Sequence, residues 1–324
     1  MTRGEVRLTL RLNRFELLAF GGVILILAVA TVIAAAWVES LRPAAACFAA
    51  ISSPGVGGPV ISSSSTVECD AAMSAWYAAS GNTGLGVGLL IFLSFAAAVF
   101  LGVPIVAREV ERGTSRLAWS LTPSRMRWFL ARMLPLLVVL AVVTFVAGVA
   151  IDRFTSASTQ DPDLSKSFAM FGFRGLLIAS RALFIFGVAV LVGAIIARAL
   201  PAVIITACIA TIGLAGGERV HSMILEREAI AIPVSQDGSS PATVGAMYFN
   251  QKFVLPDGSL VGYEYFGSGS PYDDNGNPKY PMVAIVVPGE RYRFVETREA
   301  VVLAGGSLAG LILAGFVVSR RRAG

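Results

Sequence analysis

Six stretches of this 324-residue chain run apolar for about the length a helix needs to cross a bilayer, and that pattern decides the fold class. A hydrocarbon core of roughly 30 Å takes about 20 residues of helix. In lipid every peptide group must find its partner within the protein, so such a run is satisfied as a helix. The runs cover residues 17–38, 85–107, 133–151, 175–197, 199–216 and 299–319. Composition agrees: 55% of the residues are hydrophobic and 15% charged, against about 45–50% and about 25% in soluble domains. A soluble globular domain is excluded, and so is disorder, because a chain this apolar does not stay solvated as a coil. The expectation is an all-α polytopic membrane protein with six transmembrane helices. The first run exceeds the roughly 7–15 residues of a signal-peptide core, so it reads as a retained helix.

Charge sets the orientation. Arg3, Arg7, Arg11 and Arg14 precede the first run. Arg108, Arg112, Arg116, Arg125, Arg127 and Arg132 lie between the second and third, and Arg320, Arg321 and Arg322 close the chain. Residues 39–84 hold only Arg42, and residues 152–170 only Arg153 and Lys166. By the excess of Lys and Arg in cytoplasmic loops, both termini are inside and segments 39–84, 152–174 and 217–298 are outside. The net charge of +5 is accounted for in this way, with no call for nucleic acid. Arg198 and Pro201 mark a tight turn joining the fourth and fifth helices. The 217–298 insert reads as small and mixed α/β. A helix is expected from Glu218 to Ile230, and strands at Phe249–Leu255 and Ser259–Phe266 flank a Pro256-Asp257-Gly258 turn, with a further strand at Val283–Val287.

Cys47 and Cys69 share the first external loop, where disulfides persist, and a bridge between them is favoured over two free thiols. Cys208 sits within the fifth run as a small packing residue. With a single histidine, His221, and no Cys-x-x-Cys pair, no metal site is expected. Three lysines supply no phosphate-binding Gly-x-x-x-x-Gly-Lys-Ser/Thr loop, and neither a Gly-x-Ser-x-Gly elbow nor a His-Glu-x-x-His helix occurs. The chain does not read as an enzyme. If it moves a solute, the energy comes from another subunit.

The densest signal lies at residues 108–132. At helical spacing Glu109, Arg112, Gly113 and Arg116 share a face, so a short charged helix is expected under the membrane, with Leu117 and Trp119 to anchor it. Gly113 inside that helix costs about 1 kcal/mol against Ala, which a close backbone neighbour would explain. Pro123 ends the helix, Ser124 caps the next, and Arg125 stands at its entrance. The bland alternative is a solvated loop that only sets orientation. The run Arg-Glu-x-Glu-Arg-Gly-Thr-x-Arg-Leu-Ala-Trp followed by Thr-Pro-Ser-Arg-x-Arg-Trp, over residues 107–128, resembles the permease subunits of ABC-2 type transporters. The six-helix layout, and Pro288-Gly289-Glu290-Arg291-Tyr292 with Glu296 before the last helix, are compatible with the same ABC-2, type V exporter-like family.

That resemblance implies a set of expectations. Glu109, Glu111, Arg112, Gly113, Thr114 and Arg116 would face a separate P-loop ABC ATPase, with Trp119, Pro123, Ser124 and Arg125 supporting them. Two copies of that ATPase would bind the ATP and Mg. A second permease chain would complete a dimer in a bacterial plasma membrane, exporting a hydrophobic or amphipathic substrate such as a drug, antibiotic or lipid. Residues 1–16 would form an amphipathic connecting segment and residues 320–324 a short tail. Arg174 and Arg181, seven residues apart, share a face of the fourth helix. They are candidates for substrate passage or for pairing with Glu296 and Glu299, with snorkelling to the surface as the alternative. Gly84, Gly86, Gly88, Gly305, Gly306 and Gly310 are expected to admit close helix packing. A reading of a different class remains: a membrane-anchored sensor or assembly protein whose 217–298 insert binds a ligand or an envelope partner.

Overall fold

The computed structural model describes residues 10–11, 13–51, 63–114, 124–160, 163–234, 243–267, 269–273 and 277–321. Among them are six helices long and apolar enough to cross a membrane. Helix α1 is Arg14–Ser40, with a π-helical stretch over Leu17–Gly22. A short α2 (Ala45–Ile51) leads to α3 (Ser63–Gly102), which α4 (Pro104–Glu111) continues after a joint at Val103. The bundle is completed by α5 (Arg125–Ser158), α6 (Gly175–Ile196), α7 (Ala199–Glu228) and α8 (Tyr292–Arg320).

Helix α6 is the axis of the bundle, packing against α3, α4, α5, α7 and α8. Its crossing with α8 needs glycine. A Cβ on Gly187 would stand 2.8 Å from the Ser307 carbonyl oxygen, and one on Gly310 would stand 3.1 Å from the Gly187 carbonyl carbon. Ser307 Oγ closes the crossing by donating to the Leu183 carbonyl at 2.8 Å. Without a hydrophobic drive between helices in lipid, contact at this range supplies the dispersion that holds them. By contrast, Gly84, Gly86, Gly88 and Gly305 have nothing within 4 Å of a built Cβ, so the close packing expected of them does not occur within the chain. Helices α1 and α7 turn large side chains outward, among them Ile26, Ile33, Leu200 and Ile212.

At one end of the bundle lies a four-stranded antiparallel sheet of β1 (Ile230–Val234), β2 (Met247–Val254), β3 (Leu260–Val261) and β4 (Met282–Val287), in the order β1-β4-β2-β3. Ile230 pairs with Val286 and Phe253 with Met282. Met-Val-Ala-Ile-Val-Val of β4 is apolar throughout because the strand is central and covered on both faces. The Pro256-Asp257-Gly258 turn closes with Leu255 N donating to Ser259 O at 3.0 Å and Gly258 N to Leu255 O at 2.8 Å. Phe168, Leu225, Val287, Tyr292 and Val295 form a second core joining the sheet to α7 and α8. At the same end Cys47 and Cys69 are joined by a disulfide. Arg42 donates to the Ser156 and Thr159 carbonyls, and Trp76 Nε1 to the Ala157 carbonyl at 3.0 Å.

Several elements run past their apolar cores. Residues 63–84, expected as loop, are helical, because the buried Trp76 holds this Ala-rich segment against α5 and the disulfide ties it to α2. The helix expected at Glu218–Ile230 is the continuation of α7, and Ile230 instead opens β1, a strand the sequence reading did not include. Ser259–Phe266 is a strand only at Leu260–Val261 before a 3₁₀ turn over Tyr263–Phe266. Helix α8 starts at Tyr292, two turns before residue 299, because Tyr292 and Val295 are buried in the second core.

Candidate functional site

The end of the bundle opposite the sheet is built around one turn of α4. Arg108 Nη1 donates to Glu16 Oε1 on α1 at 2.8 Å. Arg132 Nη1, on α5, donates to Glu109 Oε1 at 2.5 Å, while Thr114 Oγ1 donates to the other oxygen of Glu109 at 2.6 Å. Glu111 Oε2 accepts from Ala199 N at 2.9 Å. Ala199 is the first residue of α7, so a carboxylate sits on the positive end of that helix dipole and satisfies one of its orphan amides. Three residues of α4 thus touch the ends of three membrane helices. Half-exposed ion pairs of this kind contribute at most about 1 kcal/mol each. What they supply is mechanical connection.

Gly113 does not lie within the charged helix. It ends it, at φ +69°, with its amide donating to Val110 O at 3.1 Å, and nothing stands within 4 Å of a built Cβ. The left-handed conformation that terminates helices explains the glycine, and no backbone neighbour is needed. The shared helical face of Glu109, Arg112 and Gly113 is therefore interrupted. Arg112, Gly113 and Thr114 are all exposed. Ser124 caps α5, its hydroxyl accepting from Arg127 N at 3.1 Å. Arg125 donates to the Ser319 and Arg321 carbonyls, and Arg321 donates to Ala194 O at 2.8 Å, so the ends of α6 and α8 join the same surface. Arg116, Trp119 and Pro123 lie outside the described residues, as do Arg3, Arg7 and Arg322.

Toward the sheet end two arginines of α6 and its cap are buried. Arg181 donates through Nε (3.0 Å) and Nη2 (2.7 Å) to Glu299 Oε1 of α8. Glu218 stands 3.9 Å from its Nη1, and the guanidinium lies 5.2 Å from the Phe173 ring centroid. His221, stacked on Phe171, brings Nε2 to 3.6 Å from Glu299 Oε2. Arg181, His221, Glu299 and Arg298 border a cavity of about 480 Å³ between α6, α7 and α8. Arg174 has a different set of partners. It donates to the Ala169, Leu164 and Ser167 carbonyls and at 3.2 Å to Asp152 of α5, and it lies 4.3 Å from the Tyr292 centroid. Glu296 pairs with Arg293 instead. The sequence reading did not include Glu16, Asp152, Glu218 or His221 among these groups. Asp152 carried a signal, an acidic residue directly after the third apolar run.

Six membrane-length helices locked together by charge at one end define a multi-pass integral membrane protein. The family model described as ABC-2 membrane transporter related matches residues 23–216, more than half of the chain, and the chain belongs to that family. The match runs from α1 into α7 and takes in the whole of α4. The chain is therefore a membrane transporter permease, a transport subunit of the kind that normally works with an ABC ATPase. No curated protein and no solved structure gives a significant match.

Proposed function

We propose that the chain is the permease of an ABC exporter in a bacterial plasma membrane, with the α4 turn as its ATPase-facing lever. Two permease chains and two ATPase subunits make the working unit, and the ATPases hold the ATP and Mg. The end bearing Glu109 faces the cytoplasm, and a hydrophobic or amphipathic substrate leaves outward. The observation that carries this reading is the three-way tie of α4. Arg108 engages α1, Glu109 engages α5 and Glu111 engages α7. A push on the exposed Arg112-Gly113-Thr114 corner is thereby delivered to three membrane helices at once. Transport then requires two conformations of the bundle with different affinity for the ATP-bound ATPase.

The test is purification of the permease from native membranes in mild detergent with identification of stoichiometric partners. A P-loop ATPase co-purifies, and Glu109→Gln with Gly113→Val abolishes its stimulated ATP hydrolysis while membrane insertion is unchanged. Full retention of stimulation refutes the coupling assignment. A chain that arrives with no ATPase favours the sensor or assembly reading and its external sheet.

A further inference from the structure

Glu299 Oε2, His221 Nε2 and Arg298 Nη2 are buried with no hydrogen-bond partner among the described residues. All three side chains border the cavity of about 480 Å³ between α6, α7 and α8, whose volume is within the range of small-molecule sites. His221 Nε2 and Glu299 Oε2 stand 3.6 Å apart, too far for a hydrogen bond. Buried polar atoms left unmatched in this way are costly. Their charges, by contrast, are already answered: Arg298 Nη1 pairs with Glu228 at 2.6 Å and Arg181 with Glu299 at 2.7 Å. A cation entering the cavity would meet Arg181 and Arg298, and an anion would meet Glu299. What the three atoms lack is a neutral group that both donates and accepts. A hydroxyl does so, donating to Glu299 Oε2 and accepting from Arg298 Nη2 and His221 Nε2.

The rest of the cavity is apolar and kept open by glycine. Gly213, Gly216 and Gly217 share one face of α7 by their spacing of three and four residues, and all three line the cavity. Nothing stands within 4 Å of a Cβ built on any of them, so no neighbour within the described chain requires glycine there. Glycine is unfavourable inside a helix, and three on one face leave a bare backbone wall. Val220 and Ile224 of α7 and Val302 of α8 border the same opening and are exposed. The cavity lies where the apolar run of α7 ends, at residue 216, and that of α8 begins, at residue 299. It joins apolar walls to one polar spot at the boundary of the apolar layer, which is the layout of a lipid with a small uncharged head.

We propose that this cavity binds an uncharged membrane lipid with a free hydroxyl, of the diacylglycerol kind. Its hydroxyl bridges Glu299, His221 and Arg298, its glycerol lies against the glycine face of α7, and its chains leave past Val220, Ile224 and Val302. The site goes beyond the transport reading, because occupancy needs neither nucleotide nor ATPase. Failure of either claim leaves the other standing.

The experiment is native mass spectrometry of the purified full chain titrated with 1,2-dioleoylglycerol, its 3-O-methyl ether and dioleoyl phosphatidic acid. The free alcohol is expected to be held about tenfold more tightly than the ether, since the ether cannot donate to the Glu299 carboxylate and losing a charge-assisted hydrogen bond costs about that factor. Phosphatidic acid, whose anionic head faces the same carboxylate, is held more weakly than the alcohol. Gly217→Leu, whose side chain fills the cavity without striking a neighbour, weakens the alcohol by at least about tenfold. Gly84→Leu, at an equally open glycine outside the cavity, leaves its binding unchanged. Equal binding of alcohol and ether, tighter binding of phosphatidic acid, or undiminished binding in Gly217→Leu overturns the proposal. A Gly217→Leu chain that keeps its lipid but changes its oligomeric state in the same spectra places a second copy on the glycine face and overturns it likewise.

Discussion

Arg181 and Glu299 offer a direct measure of what an ion pair does inside this bundle. Two donors of Arg181 converge on one oxygen of Glu299, and the two side chains are only 6% and 12% exposed. At about 4 Å between charge centres and an effective dielectric of about 20, the attraction is about 4 kcal/mol. Removing one partner leaves a buried charge, which costs about 3–5 kcal/mol, whereas replacing both by apolar groups is often close to neutral. Arg181→Leu is therefore expected to destabilise by about 3–5 kcal/mol. Glu299→Leu costs less, about 2 kcal/mol, because Glu218 and the Phe173 ring still face the arginine. The double variant returns to within about 1 kcal/mol of the parent. Unfolding of the four proteins in mixed detergent and dodecyl sulfate, followed by tryptophan fluorescence, yields the coupling energy. Additive losses, or an Arg181→Leu effect below about 0.5 kcal/mol, would refute the buried pair and leave an arginine that snorkels.

Three other outcomes are expected. Non-reducing peptide mapping recovers a Cys47–Cys69 cross-linked peptide, and Cys47→Ser lowers stability by about 3 kcal/mol, the chain-entropy value for residues 22 apart; recovery of two free thiols refutes it. Gly187→Leu, driven against the Ser307 backbone, destabilises by at least about 1–3 kcal/mol in the same unfolding assay. Gly84→Leu, with open space around it, is neutral, and equal effects at the two sites would contradict the packing described. At Gly113 the backbone conformation is what matters, so Gly113→Asn, which tolerates positive φ, retains ATPase stimulation that Gly113→Val loses. Equal loss in both variants points to a need for the missing side chain itself.

The six membrane helices were legible because about 20 apolar residues in succession have few other fates. Their ends were not. Trp76 and Tyr292 extend α3 and α8 through buried contacts with residues far away in the chain, Ala157 and Phe168 among them. No local pattern encodes such partners. The charged run at residues 108–114 was legible as a family resemblance, and its family is the one the chain belongs to. Its geometry was not, because a glycine at φ +69° and a glycine inside a helix are the same letter. Pairing among α6 and α8 charges was partly legible. Arg181 and Glu299 stood out as ionisable residues near apolar runs, but the identity of the Arg174 partner depends on how α5 lies against α6, which spacing within one helix does not report.

The central place of α6 has a consequence for biogenesis. A ribosome delivers α1, α3 and α5 to the membrane before the helix that all but completes their interior. Those three already touch one another along their lengths, and Arg42 and Trp76 bind them to the far end of α5. The early product is a three-helix frame with a vacant seat, lined by Gly102 and Gly148, whose nearest neighbours in the finished bundle all belong to α6. The seat is the space that Ile178, Phe186 and Val190 later fill. A chain truncated between residues 158 and 175 and released from the ribosome would be caught in that unfilled state.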